Sequence, residues 1–140
     1  MSNIVDKNNH NILSIRVYIE DTDAGGIVYY ANYLKYLERA RTEYIRNIGY
    51  HKAGISDDQF MFVVYSLNIN YQSPAFLDDI ISVKTEIKKI SKVAILFNQK
   101  IFRDKKLLID AQVKIVSVNV ENKKINLIPK SLIDKLKDFY

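Results

Sequence analysis

The chain has 140 residues, of which 48% are hydrophobic and 26% charged, with a net charge of +5, two histidines and no cysteine. This length suggests a single domain spanning residues 1–140 with a core of its own. The lack of cysteine excludes disulfides, Cys-ligated zinc, iron–sulfur clusters and a Cys nucleophile. No G-x-S-x-G motif is present to support a serine hydrolase. Hydrolytic chemistry would therefore use carboxylates, backbone amides and water, with no cofactor and no metal expected.

Hydropathy and charge limit the expected location of the protein and its expected partners. No stretch approaches the roughly 18 apolar residues of a membrane helix, and the N-terminus lacks the basic and apolar regions of a signal peptide. We therefore expect no integral membrane segment and a cytoplasmic location. Only five of the 21 basic residues are arginine, and we expect no nucleic-acid partner.

The N-terminal third predicts a strand, a turn and one long helix. Residues 1–11 are polar and Asn-rich and are expected to be loose. Ser14–Glu20 alternates apolar and polar residues as a half-buried strand does. The turn-rich run D-T-D-A-G-G follows, and Asn32 is a candidate N-cap for the helix. Gly49 suits the left-handed cap at its end. The helical apolar positions are Tyr33, Leu37, Ala40, Tyr44 and Ile48.

The remainder predicts a loop at 50–60, four long strands and a short helix. The strands are Met61–Tyr71, Ile80–Ile90, Val93–Arg103 and Leu107–Val118, with turns at Lys89–Lys92 and Asp104–Lys106. In the first of them, alternation places Met61, Val63, Tyr65, Leu67, Ile69 and Tyr71 on one face. Lys124–Ile128 is expected to extend the sheet. Pro129 then opens a helix over Ser131–Phe139, with Leu132, Ile133 and Leu136 as its apolar side.

This order of elements predicts an α+β fold. One long helix cannot cover both faces of an antiparallel sheet, so we expect a curved sheet of five to six strands wrapped around a central helix. The strands are apolar on both faces and leave edges unpaired. That pattern predicts self-association into at least a dimer.

The densest chemical segment is E-D-T-D-A-G-G-I-V-Y-Y-A-N-Y, residues Glu20–Tyr33. It runs into a helix start, where free N–H groups and the helix dipole favour negative charge. Its glycines permit close approach to the main chain, and Asp21 and Asp23 supply carboxylates. An acid beside an oxyanion site is what acyl transfer needs. The alternative is a turn with helix-capping acids, and the residues alone leave both interpretations open. The spacing does not fit a calcium loop.

The segment Arg16–Glu43, R-V-Y-I-E-D-T-D-A-G-G-I-V-Y-Y-A-N-Y-L-K-Y-L-E-R-A-R-T-E, resembles the signature of the hot-dog-fold acyl-CoA thioesterases. It is similar to the 4-hydroxybenzoyl-CoA thioesterase family, and within it to the YbgC-type branch associated with the Tol-Pal system. The likeness extends over roughly residues 14–137. Its downstream motifs are Phe62-Val63-Val64, Tyr71 with Ser73-Pro74-Ala75, and Leu77-Asp78-Asp79. The resemblance implies a hot-dog fold, a homodimer or homotetramer, and hydrolysis of an acyl-CoA substrate.

The resemblance also implies roles for three residues. Asp23 matches the catalytic aspartate, acting as the nucleophile through a mixed anhydride or as the general base toward water. Gly26 matches a glycine three positions on, on the substrate side. The backbone amide of Tyr30 matches the oxyanion donor at the helix start. The branch resembles V-Y-H where this chain has Val28-Tyr29-Tyr30, a change that a backbone role tolerates.

Four further residues have two interpretations each. Lys88 and Lys89 could bind the phosphates of coenzyme A, or form a solvated strand end. Ser73 could touch the acyl or pantetheine part from a partner subunit, or its hydroxyl could bond its own backbone. A different hot-dog branch has a catalytic acid on the helix, where this chain has Glu38. The alternative for Glu38 is a salt bridge with neighbouring arginines at helical spacing.

Three competing functions stay open on the sequence. The first is a non-catalytic module that binds acyl groups, coenzyme A or acyl carrier protein. The second is a thioesterase that acts on acyl carrier protein. The third is a hot-dog dehydratase, which would pair an acid with a histidine on the active-site loop. No histidine lies between Ile12 and Tyr50, which disfavours the dehydratase.

Overall fold

A computed structural model describes residues 11–50 and 59–138. The elements are β1 (Ile12–Arg16), α1 (Tyr33–Asn47), β2 (Phe60–Tyr71), β3 (Ile80–Ile90), β4 (Ala94–Arg103), β5 (Lys106–Asn119) and α2 (Lys130–Lys137). The expectations for residues 1–10, for most of the loop at 50–60 and for a helix end at Phe139 lie outside the described residues. Among the residues described, no helix has the length and apolar character needed to cross a membrane.

The five strands form one antiparallel sheet in the order β1-β3-β4-β5-β2. The sheet and the central helix confirm the predicted α+β architecture, with five strands. The bounds of β2 to β5 agree with the prediction to within one residue. The first strand does not: β1 ends at Arg16, and Ile19–Asp21 forms a 3₁₀ turn. The Asp21 carboxylate accepts the Tyr18 N–H at 2.9 Å, and this local bond bends the chain where alternation predicted a strand.

The predicted face of β2 is wrong over its first half. A bulge lies between Val64 and Ser66 in the pairing with β5. Phe60 and Phe62 therefore pack toward the core before the bulge, and Ile69 does so after it. An extra residue in one strand moves every later side chain to the opposite face, so a single alternation cannot describe this strand.

The central helix packs against one face of the sheet and confirms its predicted apolar stripe. Tyr33, Leu37, Ala40, Tyr44 and Ile48 are all buried. The helix begins with a 3₁₀ turn over Tyr30–Asn32. Gly49 follows its end with φ +100°, and its N–H donates to the Arg46 carbonyl at 2.9 Å. The predicted left-handed cap is thereby confirmed.

A buried polar network holds this helix to the sheet. Arg41 Nη1 donates to Gln99 Oε1 at 3.0 Å. Gln99 Nε2 in turn donates to the Leu37 carbonyl and to Thr85 Oγ1, both at 2.9 Å. Burial lowers the pKa of the Arg41 guanidinium, and the nearby Glu38 carboxylate partly offsets that effect. The network fixes the register of α1 across β3 and β4.

The C-terminal part departs from the prediction in one place. Lys124–Ile128 forms no regular strand, because only Ile125 bridges to β5, at Val118. α2 then begins at Lys130 and buries Leu132 and Leu136 completely. Lys135 Nζ donates to the Gly49 carbonyl at 2.9 Å, which places α2 at the C-terminal end of α1.

Candidate functional site

The Asp- and Gly-rich loop is a closed turn pinned on both sides. Thr22 and Val28 form a β-bridge, and the Asp23 N–H donates to the Ile27 carbonyl at 2.9 Å. Gly26 turns the chain with φ +78°, and its N–H donates to the Asp23 carbonyl at 3.0 Å. Since residues with a Cβ rarely adopt this φ, Gly26 is the residue that lets the loop return toward the helix.

The Asp23 side chain is exposed and held by one hydrogen bond. Its Oδ1 accepts the Gly25 N–H at 2.8 Å. A Cβ added at Gly25 would lie 3.3 Å from that oxygen, so the absence of a side chain there keeps the arrangement free of crowding. The turn orients the carboxylate and leaves Oδ2 without a partner among the described residues.

The Tyr30 amide begins the helix. The Asn32 N–H donates to the Tyr29 carbonyl at 2.8 Å, which fixes the peptide plane that carries the Tyr30 N–H. The described part of the chain offers that N–H no backbone acceptor. A donor at a helix N-terminus, with the positive end of the dipole behind it, suits a developing oxyanion. Tyr30 as a whole is 62% exposed.

Asp21 and Asn32 tie the loop to the helix start. The Asp21 carbonyl accepts the Tyr29 N–H at 3.0 Å and Asn32 Nδ2 at 2.9 Å. The predicted N-cap is therefore wrong in its detail, because the Asn32 side chain bonds the loop and no helix amide. The Asp21 carboxylate serves the turn at Tyr18, as its turn interpretation predicts. Among the residues that the structure describes, the buried Tyr36 hydroxyl has no partner at hydrogen-bond geometry. Its pKa is raised by burial first and then by the nearby Asp21.

Tyr71 reaches the site from the end of β2, a contact that the sequence analysis missed. Its hydroxyl donates to the Tyr30 carbonyl at 3.1 Å. Its ring also lies edge-on to those of Tyr30 and Tyr33, with centroids 6.3 and 5.7 Å apart. The two residues are 41 positions apart, and no local pattern signals their meeting.

Ser73 lies on the same side of the protomer as the loop. The Ser73 N–H donates to the Leu108 carbonyl at 3.2 Å, and the Ala75 carbonyl accepts the Val28 N–H at 2.9 Å. The Ser73 hydroxyl has no hydrogen-bond partner within the described residues. The Ala75 N–H donates to the buried Tyr33 hydroxyl at 3.0 Å, and burial raises the pKa of Tyr33. The bend that follows β2 is thus bonded to the loop and to the start of α1 in the same protomer.

Asp79 and Arg103 hold the segment 74–76 in place by hydrogen bonds. Asp79 Oδ2 accepts the Phe76 N–H at 2.8 Å and Arg103 Nη1 at 2.9 Å. Arg103 also donates to the Pro74 carbonyl at 3.1 Å and lies over the Phe76 ring. Phe76 bridges Ile27 of the loop. These hydrogen bonds fix the segment against which the loop rests.

Lys88 and Lys89 do not meet the loop in one protomer. The loop adjoins the Ile80 end of β3, since Arg16 pairs with Ile80. At about 3.3 Å per residue, Lys88 lies roughly 26 Å further along that strand. The two lysines sit at a register irregularity between Ile87 and Lys89. A phosphate role for them requires the site of another subunit.

Glu38 forms no ion pair within the described residues. Its Oε1 accepts the Thr42 hydroxyl at 2.9 Å. The i,i+3 pair on this helix joins Arg46 and Glu43, at 3.4 Å. The salt bridge predicted for Glu38 is therefore wrong, and the ion pair of this helix is formed by Glu43 instead. In the portion of the chain that the structure covers, no three His, Cys, Asp or Glu side chains converge as a metal site would require.

Comparisons with known proteins identify the family and the fold. A family model described as "Thioesterase-like superfamily" matches residues 17–136. The "Acyl-CoA thioesterase YbgC" of Haemophilus influenzae is 42% identical over 119 residues, 84% of this chain and 88% of that protein. The "Acyl-CoA thioester hydrolase YbgC" of Escherichia coli is 38% identical over 124 residues, 88% of this chain and 92% of that protein. A solved structure of a probable thioesterase from Bartonella henselae, 34% identical, superposes with TM-score 0.77 and covers 84% of this chain and 96% of that one.

Proposed function

Because the chain belongs to the thioesterase-like superfamily, with its hot-dog fold, we propose that it hydrolyses acyl-CoA thioesters at the loop Glu20–Tyr33. The observation that carries the proposal is the pairing of two groups at one loop. Asp23 presents an exposed, oriented carboxylate, and Tyr30 presents a helix-start amide without a backbone acceptor. The two relatives named as YbgC acyl-CoA enzymes support the choice of substrate.

In this proposal the thioester carbonyl oxygen accepts the Tyr30 N–H and gains negative charge as the carbonyl is attacked. By one route Asp23 attacks the carbonyl carbon, the C–S bond breaks, and the mixed anhydride is opened by water. By the other, Asp23 takes a proton from water, which attacks the carbonyl directly. Both routes end in the free carboxylic acid and the coenzyme A thiol. Asp23 Oδ2, which is without a partner, is the oxygen available for either.

A second copy of the chain completes the site in this proposal. β2 is an edge strand, and its residues Val64, Tyr65, Leu67 and Tyr71 are exposed in one protomer. Apolar edge strands favour pairing with another chain. Antiparallel pairing of two β2 strands would place the Phe60 end of one protomer beside the Tyr71 end of the other. That arrangement brings the lysine-bearing end of one subunit toward the other subunit's loop.

The catalytic test is thiol release from a panel of acyl-CoA thioesters, with wild type and Asp23→Asn compared. Asparagine keeps the size but neither attacks nor accepts the proton. We expect a loss of at least about a hundredfold, or ~3 kcal/mol of barrier. The matched control is Asp104→Asn in the β4–β5 turn, where φ is +53° and asparagine is tolerated. Full activity in Asp23→Asn would refute the assignment.

Single turnover in ¹⁸O-labelled water separates the two routes. With excess enzyme, attack of water on the aspartyl carbon of the mixed anhydride leaves the label in the Asp23 carboxylate. The acid released in that turnover then carries an unlabelled oxygen from Asp23. The general-base route places all label in the released acid. Activity only on acyl carrier protein thioesters would change the substrate class while keeping the site.

Mixing an inactive variant with a variant of raised KM tests the shared site. A mixed dimer of Asp23→Asn with K88Q/K89Q contains one site whose Asp23 comes from one subunit and whose lysines come from the other. If the lysines serve the partner's site, the mixture recovers sites with a wild-type KM. If they serve their own subunit's site, or none, mixing leaves the KM of the lysine variant unchanged.

A further inference from the structure

We propose that the end of the protomer opposite the catalytic loop is a docking surface for anionic phospholipid bilayers. The surface, here named the lysine–aliphatic face, consists of Lys92, Lys123, Lys124, Ile125, Leu127, Lys130 and Lys137. It lies beyond the Ile90 end of β3, while the loop adjoins the Ile80 end. The proposal is independent of the thioesterase assignment.

The segment before α2 displays its apolar side chains outward. Ile125 is 62% exposed and Leu127 is 66% exposed, whereas Ile128 is buried. The polar Asn126 faces inward: its Oδ1 accepts the buried Ser117 hydroxyl at 2.7 Å, and its N–H donates to the Ser117 carbonyl at 3.1 Å. Neighbours of an inward residue in extended chain point outward. These hydrogen bonds fix which side chains of the segment face the protein. They leave the side chains of Ile125 and Leu127 exposed to water.

Lysines surround these two side chains. A groove of about 470 Å³ beside Leu127 has an apolar floor that includes Ile90 and Ile133, and Lys92, Lys130 and Lys137 on its walls. Asp134 is the acidic residue in that lining. The Ile128 N–H donates to the Lys92 carbonyl at 2.9 Å, which joins the segment to the strand connection. Lys123 and Lys124 precede Ile125 directly.

The chemistry of this face fits a bilayer better than a protein partner. Protein interfaces are enriched in aromatic residues and Arg and depleted in Lys. Five of the seven residues of the face are Lys, and its groove is lined, among the described residues, by one acidic residue, Asp134, and by no aromatic residue or Arg. Lysine stems lie along apolar surface while their ammonium groups reach the headgroups. Aliphatic side chains beside clustered lysines are typical of shallow interfacial binding to anionic lipid.

The test is co-sedimentation of the purified full chain with vesicles of phosphatidylcholine alone or with 30% phosphatidylglycerol (a composition of about one anionic lipid in three). We expect binding to the anionic vesicles at least about tenfold stronger, and weaker at higher salt. K123Q/K124Q should lower partitioning by at least about tenfold, since each lysine near an anionic surface contributes roughly fivefold. I125S/L127S should lower it as much. K105Q/K106Q, with the same charge change in the distant β4–β5 turn, should bind as wild type does.

Three results would overturn the proposal. One is equal binding to both vesicle types, or none to either. A second is an equal loss in K105Q/K106Q, which would show that general basicity drives binding. The third is a smaller sedimentation coefficient of I125S/L127S without lipid, which would make the face a contact between copies. Circular dichroism confirms that each variant is folded.

Discussion

Replacing Gln99 with methionine should be among the most destabilising single changes in the sheet. Gln99 is fully buried and Arg41 is 8% exposed. The change removes three hydrogen bonds, at 3.0, 2.9 and 2.9 Å, and leaves the guanidinium without the Gln99 acceptor. A hydrogen bond to a charged group contributes about 1.5–3 kcal/mol, and an unsatisfied buried group costs about 1–3 kcal/mol. We therefore expect a loss of about 3–5 kcal/mol, against a total stability of roughly 5–15 kcal/mol.

The double variant R41M/Q99M gives the decisive comparison. Removing both partners leaves two apolar side chains of similar length, which costs much less than one unpaired charge. We expect it to be more stable than Gln99→Met, with a coupling of at least about 2 kcal/mol in the mutant cycle. Gln112→Met is the matched control, because Gln112 is exposed on the strand next to Gln99, and it should stay within about 0.5 kcal/mol of wild type.

Urea unfolding followed by far-UV circular dichroism measures these values. All variants are compared at one protein concentration, because self-association would add to the apparent stability. A loss below about 1 kcal/mol in Gln99→Met would refute the reasoning. So would a double variant as unstable as the sum of the single ones.

Two further outcomes follow from buried or bridging tyrosines. Tyr71→Phe removes the hydrogen bond to the Tyr30 carbonyl and should lower kcat about three- to tenfold with little change in Tm, whereas Tyr65→Phe, exposed on the same strand, should leave kcat unchanged. Burial, and then Glu86, raises the pKa of Tyr44 to about 12, so above pH 10 the unfolded chain loses this proton first and the free energy of unfolding falls. Between pH 8 and pH 11.5 wild type should lose up to about 2 kcal/mol more than Tyr44→Phe in urea titrations; equal losses would contradict the assignment.

Patterns local in sequence predicted most of the fold. The strand bounds from Ile80 onward follow from apolar runs between charged turns, and the helix face follows from its spacing. The single alternation predicted for β2 was wrong, because the bulge near Tyr65 is set by pairing with β5. The predicted end of the first strand was wrong because the Asp21 carboxylate accepts a hydrogen bond from the Tyr18 N–H. This side-chain contact competes with the strand pattern.

For the candidate site, the sequence predicted which residues share one loop and missed their spatial partners. Asp23, Gly26 and Tyr30 lie within eight residues, so one turn brings them to one loop. Tyr71 reaches Tyr30 only through the tertiary fold. Lys88 and Lys89 are separated from the loop by the length of β3, which their types and charges do not encode.

The strand order has a consequence for how the chain acquires its structure during synthesis. β3, β4 and β5 form successive hairpins, while β1 pairs with β3 and β2 with β5. β2 leaves the ribosome some forty residues before its partner, so it waits unpaired until the last strand has emerged. Long-range pairing of this kind is slow and exposes strand edges. The segment 27–28 that closes the candidate loop rests on 75–76, so this loop, encoded early, closes only after the chain has been made as far as residue 76.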